Sequence, residues 1–350
     1  MHKTVTLTPS GRKFSVNDGE PVLQAARRQG VHLSHDCRSG SCGACRARLT
    51  SGQVQYPGGL PLALTALDVR QGEVLLCRAV PLSDLELDAQ EISTDADIVV
   101  KTLPCRIVNK KRLNHDVEAL YLKLPAVERL IFLPGQYIDV LLPDGHRRSF
   151  SIANPPHDVD ALELHVRHVP GGCFTTQVFE KLHAGALLQI QGPLGRFYLR
   201  EDGARPILMM AGGAGFAPFK AMLRHVFDLR PPCCIELYWG ARAQRDLYAD
   251  ALVRNWAASR SDFKYISVLS EALPSDHWLG GRNGFVHEAL LADHADLSGY
   301  DIYISGPPPM VEAARQTFPV HGADPLRMFS DSFDYAPEVR AALEKHGGAA

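Results

Sequence analysis

Three observations predict a multidomain chain built from a small α+β unit, an antiparallel β-barrel and a doubly wound α/β domain. Four of the eight cysteines fall in the first quarter, Cys37, Cys42, Cys45 and Cys77, inside a stretch where short alternating runs surround one helical segment. Over residues 105–200, alternating apolar runs recur at even intervals between turn residues, the pattern of a closed barrel. After Pro206, continuous apolar runs alternate with helical ones, the pattern of a parallel sheet covered on both faces. The expected domains are residues 1–92, 100–202 and 203–350, and the polar, acidic segment 90–102 reads as a linker.

At 350 residues the chain has room for two or three separate cores. A hydrophobic fraction of 45% and a charged fraction of 22% are those of an ordinary globular protein. A net charge of −2 argues against nucleic-acid binding, and no basic run points to a membrane surface. No apolar stretch approaches the ~18 residues of a spanning helix. The sequence enters a strand pattern at once, so no targeting segment is expected, and a reducing cytoplasm is the expected compartment.

In the first unit, Val5, Leu7, Phe14 and Val16 alternate around Pro9-Ser10-Gly11 as in a hairpin. Residues 21–29 place Val22, Leu23, Ala25 and Ala26 between Asp18 and Gly30, which reads as a helix. Leu85-Glu86-Leu87 supplies a last strand, and this order resembles the β-grasp ferredoxin fold. The spacing C-x4-C-x2-C with a distant fourth cysteine is the plant-type [2Fe–2S] ligand pattern, which assigns Cys37, Cys42, Cys45 and Cys77 to the metal. Gly40, Gly43 and their small neighbours let the backbone curl and aim N–H groups at sulfur. A zinc site would ask for two short knuckles, and only Cys42 and Cys45 make one. Cys105, Cys173, Cys233 and Cys234 are scattered and read as buried small hydrophobes.

In the second domain, Arg148-Ser149-Phe150-Ser151-Ile152-Ala153-Asn154 puts Arg148, Phe150 and Ile152 on one strand face and both serines on the other. Arg148 offers a bidentate fork to a diphosphate, and the ring of Phe150 can cover a flat heterocycle. On the residues alone a plain exposed strand remains open. The stretch resembles the flavin signature of the ferredoxin–NADP reductase superfamily. That resemblance implies that Arg148 holds the FAD diphosphate, Phe150 lies against the isoalloxazine in place of the commoner tyrosine, and Ser151 hydrogen-bonds the ring. The segment His165-Val166-Arg167-His168-Val169-Pro170-Gly171-Gly172-Cys173-Phe174-Thr175 resembles the second flavin element. It implies a binding role for Arg167 and Gly172 and a helix capped by Thr175, with phosphate at the helix N-terminus.

In the third domain, Gly212-Gly213-Ala214-Gly215-Phe216-Ala217-Pro218 follows a buried strand and opens a helix, which suits close approach to a pyrophosphate. It lacks the full G-x-G-x-x-G spacing but resembles the glycine loop of the same superfamily, with Ala214 where threonine is usual. By resemblance, Arg242 and Asp246 embrace the adenosine half, and Ser305 and Gly306 flank the nicotinamide. Asp331 and Phe333 belong to the element covering the flavin ring, with Asp331 in place of glutamate. Ser151, Ser305 and Asp331 are then the residues around the reacting rings. Glu271 follows the strand where NADP-dependent relatives carry arginine; its carboxylate would repel a 2′-phosphate and accept from ribose hydroxyls, so NADH is the expected donor despite nearby Arg242 and Arg245.

Together these imply an NADH-dependent iron–sulfur flavoprotein reductase with electrons passing from NADH to FAD to the [2Fe–2S] cluster and then to a protein acceptor. A hydride carries two electrons and the cluster takes one at a time, so a flavin between them is required. Reductases of this type serve Rieske-type aromatic-ring dioxygenases and other multicomponent oxygenases, the expected partner class. The alternative is a CDP-6-deoxy-Δ3,4-glucoseen reductase serving a deoxysugar dehydrase. A redox sensor without turnover and a simple flavin reductase are rivals of other kinds. The face around Arg38, Ser39 and Arg46 is the expected docking surface for the acceptor.

Overall fold

The computed structural model of the chain describes residues 2–8, 10–29, 31, 33, 35, 38–41, 43, 45–89, 98–200, 205–229, 233–272 and 281–333. The chain divides into two compact units at residue 98, the barrel and the doubly wound sheet sharing the second.

The first unit has strands β1 (Lys3–Leu7), β2 (Lys13–Val16), β3 (Arg46–Ser51), β4 (Val54–Gln55), β5 (Glu73–Leu75), β6 (Val80–Pro81) and β7 (Leu85–Asp88). Its main sheet runs β2-β1-β7-β3-β5, with β1 and β7 parallel, and β4 pairs with β6 apart from it. Helix α1 (Val22–Arg28) falls within the expected residues 21–29 and starts after Pro21 without a side-chain cap. The reason lies in the backbone: the N–H groups of Val22 and Leu23 are taken by the carbonyls of Ala79 and Leu76, so no side-chain cap is needed. Val22, Leu23, Ala25 and Ala26 then bury against Val5, Leu7 and Leu85. A second short helix, α2 (Ala66–Arg70), is held by a capping box between Thr65 and Asp68.

The barrel consists of β8 (Lys101–Arg112), β9 (Val117–Lys123), β10 (Tyr137–Leu141), β11 (Arg147–Ser151), β12 (Leu162–Arg167) and β13 (Leu187–Leu194), with α3 (Cys173–Glu180) after β12. The antiparallel order is β11-β10-β13-β8-β9-β12, and a bridge between Ile152 and Leu164 joins the two ends into a closed wall. Ile107, Leu120, Ile138, Ile152, Leu164 and Val166 fill it.

The doubly wound part contains β14 (Ile207–Gly212), α4 (Phe216–Leu229), β15 (Ile235–Ala241), α5 (Asp250–Ser259), β16 (Phe263–Leu269), β17 (Arg282–Asn283), α6 (Val286–Asp293), β18 (Asp301–Gly306), α7 (Pro308–Thr317) and β19 (Met328–Ser332). All strand pairs are parallel in the order β17-β16-β15-β14-β18-β19. Every residue of β14 is buried, Met209 and Ala211 in one core and Leu208 and Met210 in the other, which explains its continuous apolar run. The chain winds outward from β14 to β17 and then returns to β18, so the direction of winding reverses between β14 and β18. Ligand crevices of open parallel sheets lie at the carboxyl ends of such a pair.

The scattered cysteines only partly behave as small core residues. Cys105 is buried, which pushes its thiol up to about 12, but Cys173 and Cys234 are exposed and Cys233 is half-buried. Cys173 opens α3 at the surface, and of the Cys233-Cys234 pair that precedes β15 only Cys233 packs against a core. No helix among the described residues is long and apolar enough to cross a membrane.

Gly135 sits where the barrel meets α4. Its φ is +104°, and a Cβ there would lie 2.3 Å from Met222 Cε and 2.7 Å from the Phe197 carbonyl oxygen. Gly135→Ala is expected to lower stability by about 2 kcal/mol from backbone strain and overpacking. A thermal melt followed by circular dichroism checks this; an unchanged midpoint would show that the contact gives way without cost.

Candidate functional site

In the first unit the described cysteines meet. Cys45 precedes β3 and Cys77 follows β5, both are buried, and the Cys77 N–H points at Cys45 Sγ at 3.5 Å. A backbone donor aimed at sulfur suits a thiolate bound to iron. Cys37 and Cys42 lie outside the described residues. The cluster loop is held from outside: the Ala63 N–H donates to the Gly40 carbonyl, and a Cβ on Gly40 (φ +89°) would strike Pro61 at 2.8 Å. Arg46 is less available for docking than its sequence position suggests. Its guanidinium pairs with Asp68 at 2.9 Å and donates to the Ala63 carbonyl at 2.6 Å.

In the second unit, the switch point is built by glycines for a reason the sequence reading did not supply. A Cβ on Gly215 would lie 2.0 Å from the Ser305 carbonyl oxygen. One on Gly306 would lie 3.0 Å from the Gly212 backbone, and one on Gly212 would lie 2.7 Å from Met310 Sδ. Protein, rather than open space, faces these three positions; they are glycine so that the ends of β14 and β18 can touch. Gly213, at φ +51°, faces Arg167, whose Nη1 is 2.5 Å from where a Cβ would be. Pro218 falls in the first turn of α4, where its missing N–H costs nothing.

Register then brings the three predicted ring-contacting residues together. Ser305 pairs with Asp331 and Gly306 with Ser332 across β18 and β19. Ser151, at the end of β11, donates to Asp331 Oδ2 at 3.4 Å. The hydroxyls of Ser305 and Ser332 are buried without a hydrogen-bond partner among the described residues. Such orphans at a strand-end crevice fit a polar ring substituent such as a carboxamide. The Phe333 N–H donates to the Gly306 carbonyl, which places the backbone of residue 333 beside the end of β18.

The flavin-strand residues divide by face. Ser149 donates to the fully buried Asp139 at 2.7 Å, and Arg148 is half-buried and donates to the Arg147 carbonyl. Phe150 packs toward the barrel core with its ring 5.5 Å from Phe174, which leaves part of it at the surface. Gly172, not Thr175, is the N-cap of α3. Thr175 is the third helical residue, and its hydroxyl ties back to Val169 at 3.2 Å, bracing the glycine turn. Arg167 is held by Asp116, 2.7 Å from its Nε, with its Nη1 turned to Gly213.

At the far end of the crevice, Arg242 and Glu271 are exposed, joined by a bond from the Glu271 N–H to the Arg242 carbonyl. Asp246 is buried instead: it accepts from the Ala243 N–H at 3.0 Å and faces His115 at 3.5 Å, so its carboxylate shapes the turn. Sequence reasoning passed over Phe285. It follows Asn283-Gly284 after β17 and is 61% exposed beside the strand that ends at Leu269. An aromatic directly after an Asn-Gly turn was the available signal.

Comparison with known proteins accounts for all three parts. A 2Fe-2S iron-sulfur cluster binding domain matches residues 5–82, an oxidoreductase FAD-binding domain 104–198 and an oxidoreductase NAD-binding domain 209–316. The chain is 38% identical over 333 residues to the CDP-6-deoxy-L-threo-D-glycero-4-hexulose-3-dehydrase reductase of Yersinia pestis, covering 95% of this chain and 99% of that one. It is 36% identical to the reductase component of phenol 2-monooxygenase from a Pseudomonas species, covering 91% and 90%. Among solved structures, the Amycolatopsis cytochrome P450 reductase GcoB superposes with a TM-score of 0.76 at 31% identity, over 95% of this chain and 98% of that one.

A buried polar chain runs along the seam between β12 and the nucleotide-binding part, and no motif announced it. Glu163 receives His165 Nε2 at 3.0 Å, Tyr121 at 3.4 Å and the Lys220 ammonium. Burial alone would raise the Glu163 carboxyl, but His165 and Lys220 outweigh it and bring it down to about 2. A carboxyl lower in the fold than in the unfolded chain stabilises above its unfolded value of 4.5, and that stability is lost as pH falls toward 2. Glu163→Gln is therefore expected to be less stable than the parent near neutral pH, by about 2 kcal/mol, and to lose less on acidification. Urea melts at pH 6 and pH 3 check it; parallel losses in both proteins would remove Glu163 from the acid transition.

Proposed function

This chain belongs to the iron–sulfur flavoprotein reductases that join 2Fe-2S, FAD-binding and NAD-binding domains, and we propose that it carries electrons from NADH through FAD and a [2Fe–2S] cluster to a separate protein acceptor. The observation that carries this reading is the meeting of Ser151, Asp331 and Ser305 at the switch point, where the Ser305 hydroxyl is buried without a partner among the described residues.

Cys37, Cys42, Cys45 and Cys77 hold the cluster. Arg148, Phe150, Ser151 and the turn at Gly172, braced by Thr175, hold FAD. Bound there, FAD takes up a hydride's electron pair and releases it one electron at a time, which neither NADH nor the cluster can do alone. Gly212, Gly213, Gly215, Pro218 and Gly306 shape the seat of the dinucleotide, Arg167 brings a positive charge to it, and Arg242 and Glu271 face the adenosine ribose, with Asp246 setting their turn. Ser151 and Asp331 fix each other across the barrel–sheet seam, and Ser305 and Phe333 border the nicotinamide. These groups position rings and exclude water; no side-chain proton transfer is required of them.

The acceptor is an oxygenase component, Rieske-type or another multicomponent enzyme, as the phenol monooxygenase relative supports. A dehydrase component is the second reading, favoured by the 38% identity to the Yersinia pestis dehydrase reductase. Exposed thiols at Cys173 and Cys234 suit a reducing compartment, the cytoplasm.

Cys77→Ser is expected to abolish NADH-dependent cytochrome c reduction while sparing NADH-dependent ferricyanide reduction by the flavin; persistence of both activities would put the cluster off the path. Glu271→Arg is expected to raise the NADPH-to-NADH ratio of kcat/KM about tenfold, since it removes a like charge and adds an opposite one beside a 2′-phosphate. Steady-state assays with each nucleotide decide it, and a parent that uses NADPH as well as NADH would sink the assignment of Glu271.

A further inference from the structure

The buried chain described above does not stop at Glu163. Its carboxylate accepts the Nε2 proton of His165 at 3.0 Å. Burial holds the imidazole neutral, so Nδ1 carries a lone pair and the Tyr248 hydroxyl, 3.0 Å away, donates to it. Tyr248 stands edge-on to Trp239, with centroids 5.2 Å apart at 83°. Trp239 in turn donates its indole N–H to the Gly213 carbonyl at 3.0 Å and stacks on Phe216 at 4.3 Å. Phe216 is the first residue of α4, directly after the glycine loop.

Gly213 is thus gripped twice, and both grips lead back to one strand of the barrel. Trp239, on β15, holds its carbonyl directly and is braced by the ring of Tyr248, which His165 of β12 anchors. The Arg167 guanidinium, two residues further along β12, takes the place where a Cβ on Gly213 would be. Seam stability alone would be served as well by apolar residues, because burying a carboxylate, an ammonium and an imidazole incurs a desolvation cost that packing avoids. What a directional chain adds is a defined ring angle and, through it, a defined carbonyl direction in a loop whose φ of +51° at Gly213 is one of few choices.

We infer that Glu163, His165 and Tyr248 are positioning residues for the glycine loop, so that the flavin barrel sets how tightly the dinucleotide is held. The inference rests on the reading that this loop receives NADH. Tyr248→Phe in the full-length holoenzyme removes one hydroxyl and keeps the ring. The expected result is a rise of about fivefold in the NADH dissociation constant, measured by fluorescence titration, and in KM for NADH, with kcat for ferricyanide reduction within about twofold. Flavin content and melting midpoint should stay close to the parent. His165→Leu should weaken binding at least as much, and Glu163→Gln less, since a glutamine oxygen still accepts from His165.

Parental NADH affinity in both Tyr248→Phe and His165→Leu would overturn the inference. So would loss of flavin and of folded protein in both, which would assign the chain to stability alone. A parent that binds NADH yet reduces no ferricyanide would instead count against the proposed electron path, and the binding titrations would still decide the role of these residues.

Discussion

The contact on which the rest of the second unit depends is backbone against backbone: the Ser305 carbonyl occupies the place where a side chain at residue 215 would be. It forces the ends of β14 and β18 together, and from that closeness the site follows. With Gly215 fixed, α4 begins at Phe216 and its first turn faces the strand ends. With Ser305 fixed, parallel pairing brings Asp331 alongside it on β19, and Asp331 is then within reach of Ser151 from the barrel. A single steric requirement therefore lines up residues far apart in the sequence. No such alignment would survive a β-carbon at 215, because the clash is with main chain and cannot be relieved by a rotamer change.

The barrel contributes through β12 more than through the strand that carries the flavin signature. β12 closes the barrel by the Ile152–Leu164 bridge, carries Glu163 and His165 into the seam, and ends in Arg167 against the nucleotide loop. Alternation along one strand makes this possible. Leu162, Leu164 and Val166 fill the barrel while Glu163, His165 and Arg167 face the other way. A strand that is apolar on one side and ionisable on the other reads in sequence as an ordinary surface strand. Here its polar side is covered by α4 and by Tyr248.

That difference marks what sequence can and cannot carry. Cysteine spacing, the change of texture after Pro206 and the flavin and glycine-loop stretches were legible because each is local: the physical requirement and the residues that meet it lie within a dozen positions. Family resemblance placed Ser151 and Asp331 each near the flavin ring, but their hydrogen bond was not legible, since no local rule links residues 180 positions apart. The Glu163 chain was not legible at all, because its members become neighbours only when two sheets pack. Asp246 and Thr175 show how a motif residue also serves the local fold. Both sit in recognisable motifs, yet the fold uses the first to hold a turn and the second to brace a glycine bend. Short polar side chains near turns serve the backbone first.

The departures from the family pattern are concentrated in the crevice, and geometry explains why they are compatible with it. Asp331 has a shorter reach than glutamate, yet it meets Ser151 because β19 lies directly beside β18 and delivers the carboxylate to the seam from the strand end. At 3.4 Å the bond is long, so it orients both groups while binding neither strongly. Ser305 adds a buried hydroxyl with no partner among the described residues, and Ser332 on the neighbouring strand adds another. Each such group costs about 1–3 kcal/mol relative to a satisfied one. Because successive residues of a strand alternate sides, Ser332 faces away from Asp331 and Ser305, so the stability forgone is divided between the two faces of the sheet, and only the Ser305 share lies on the side where Asp331 meets Ser151.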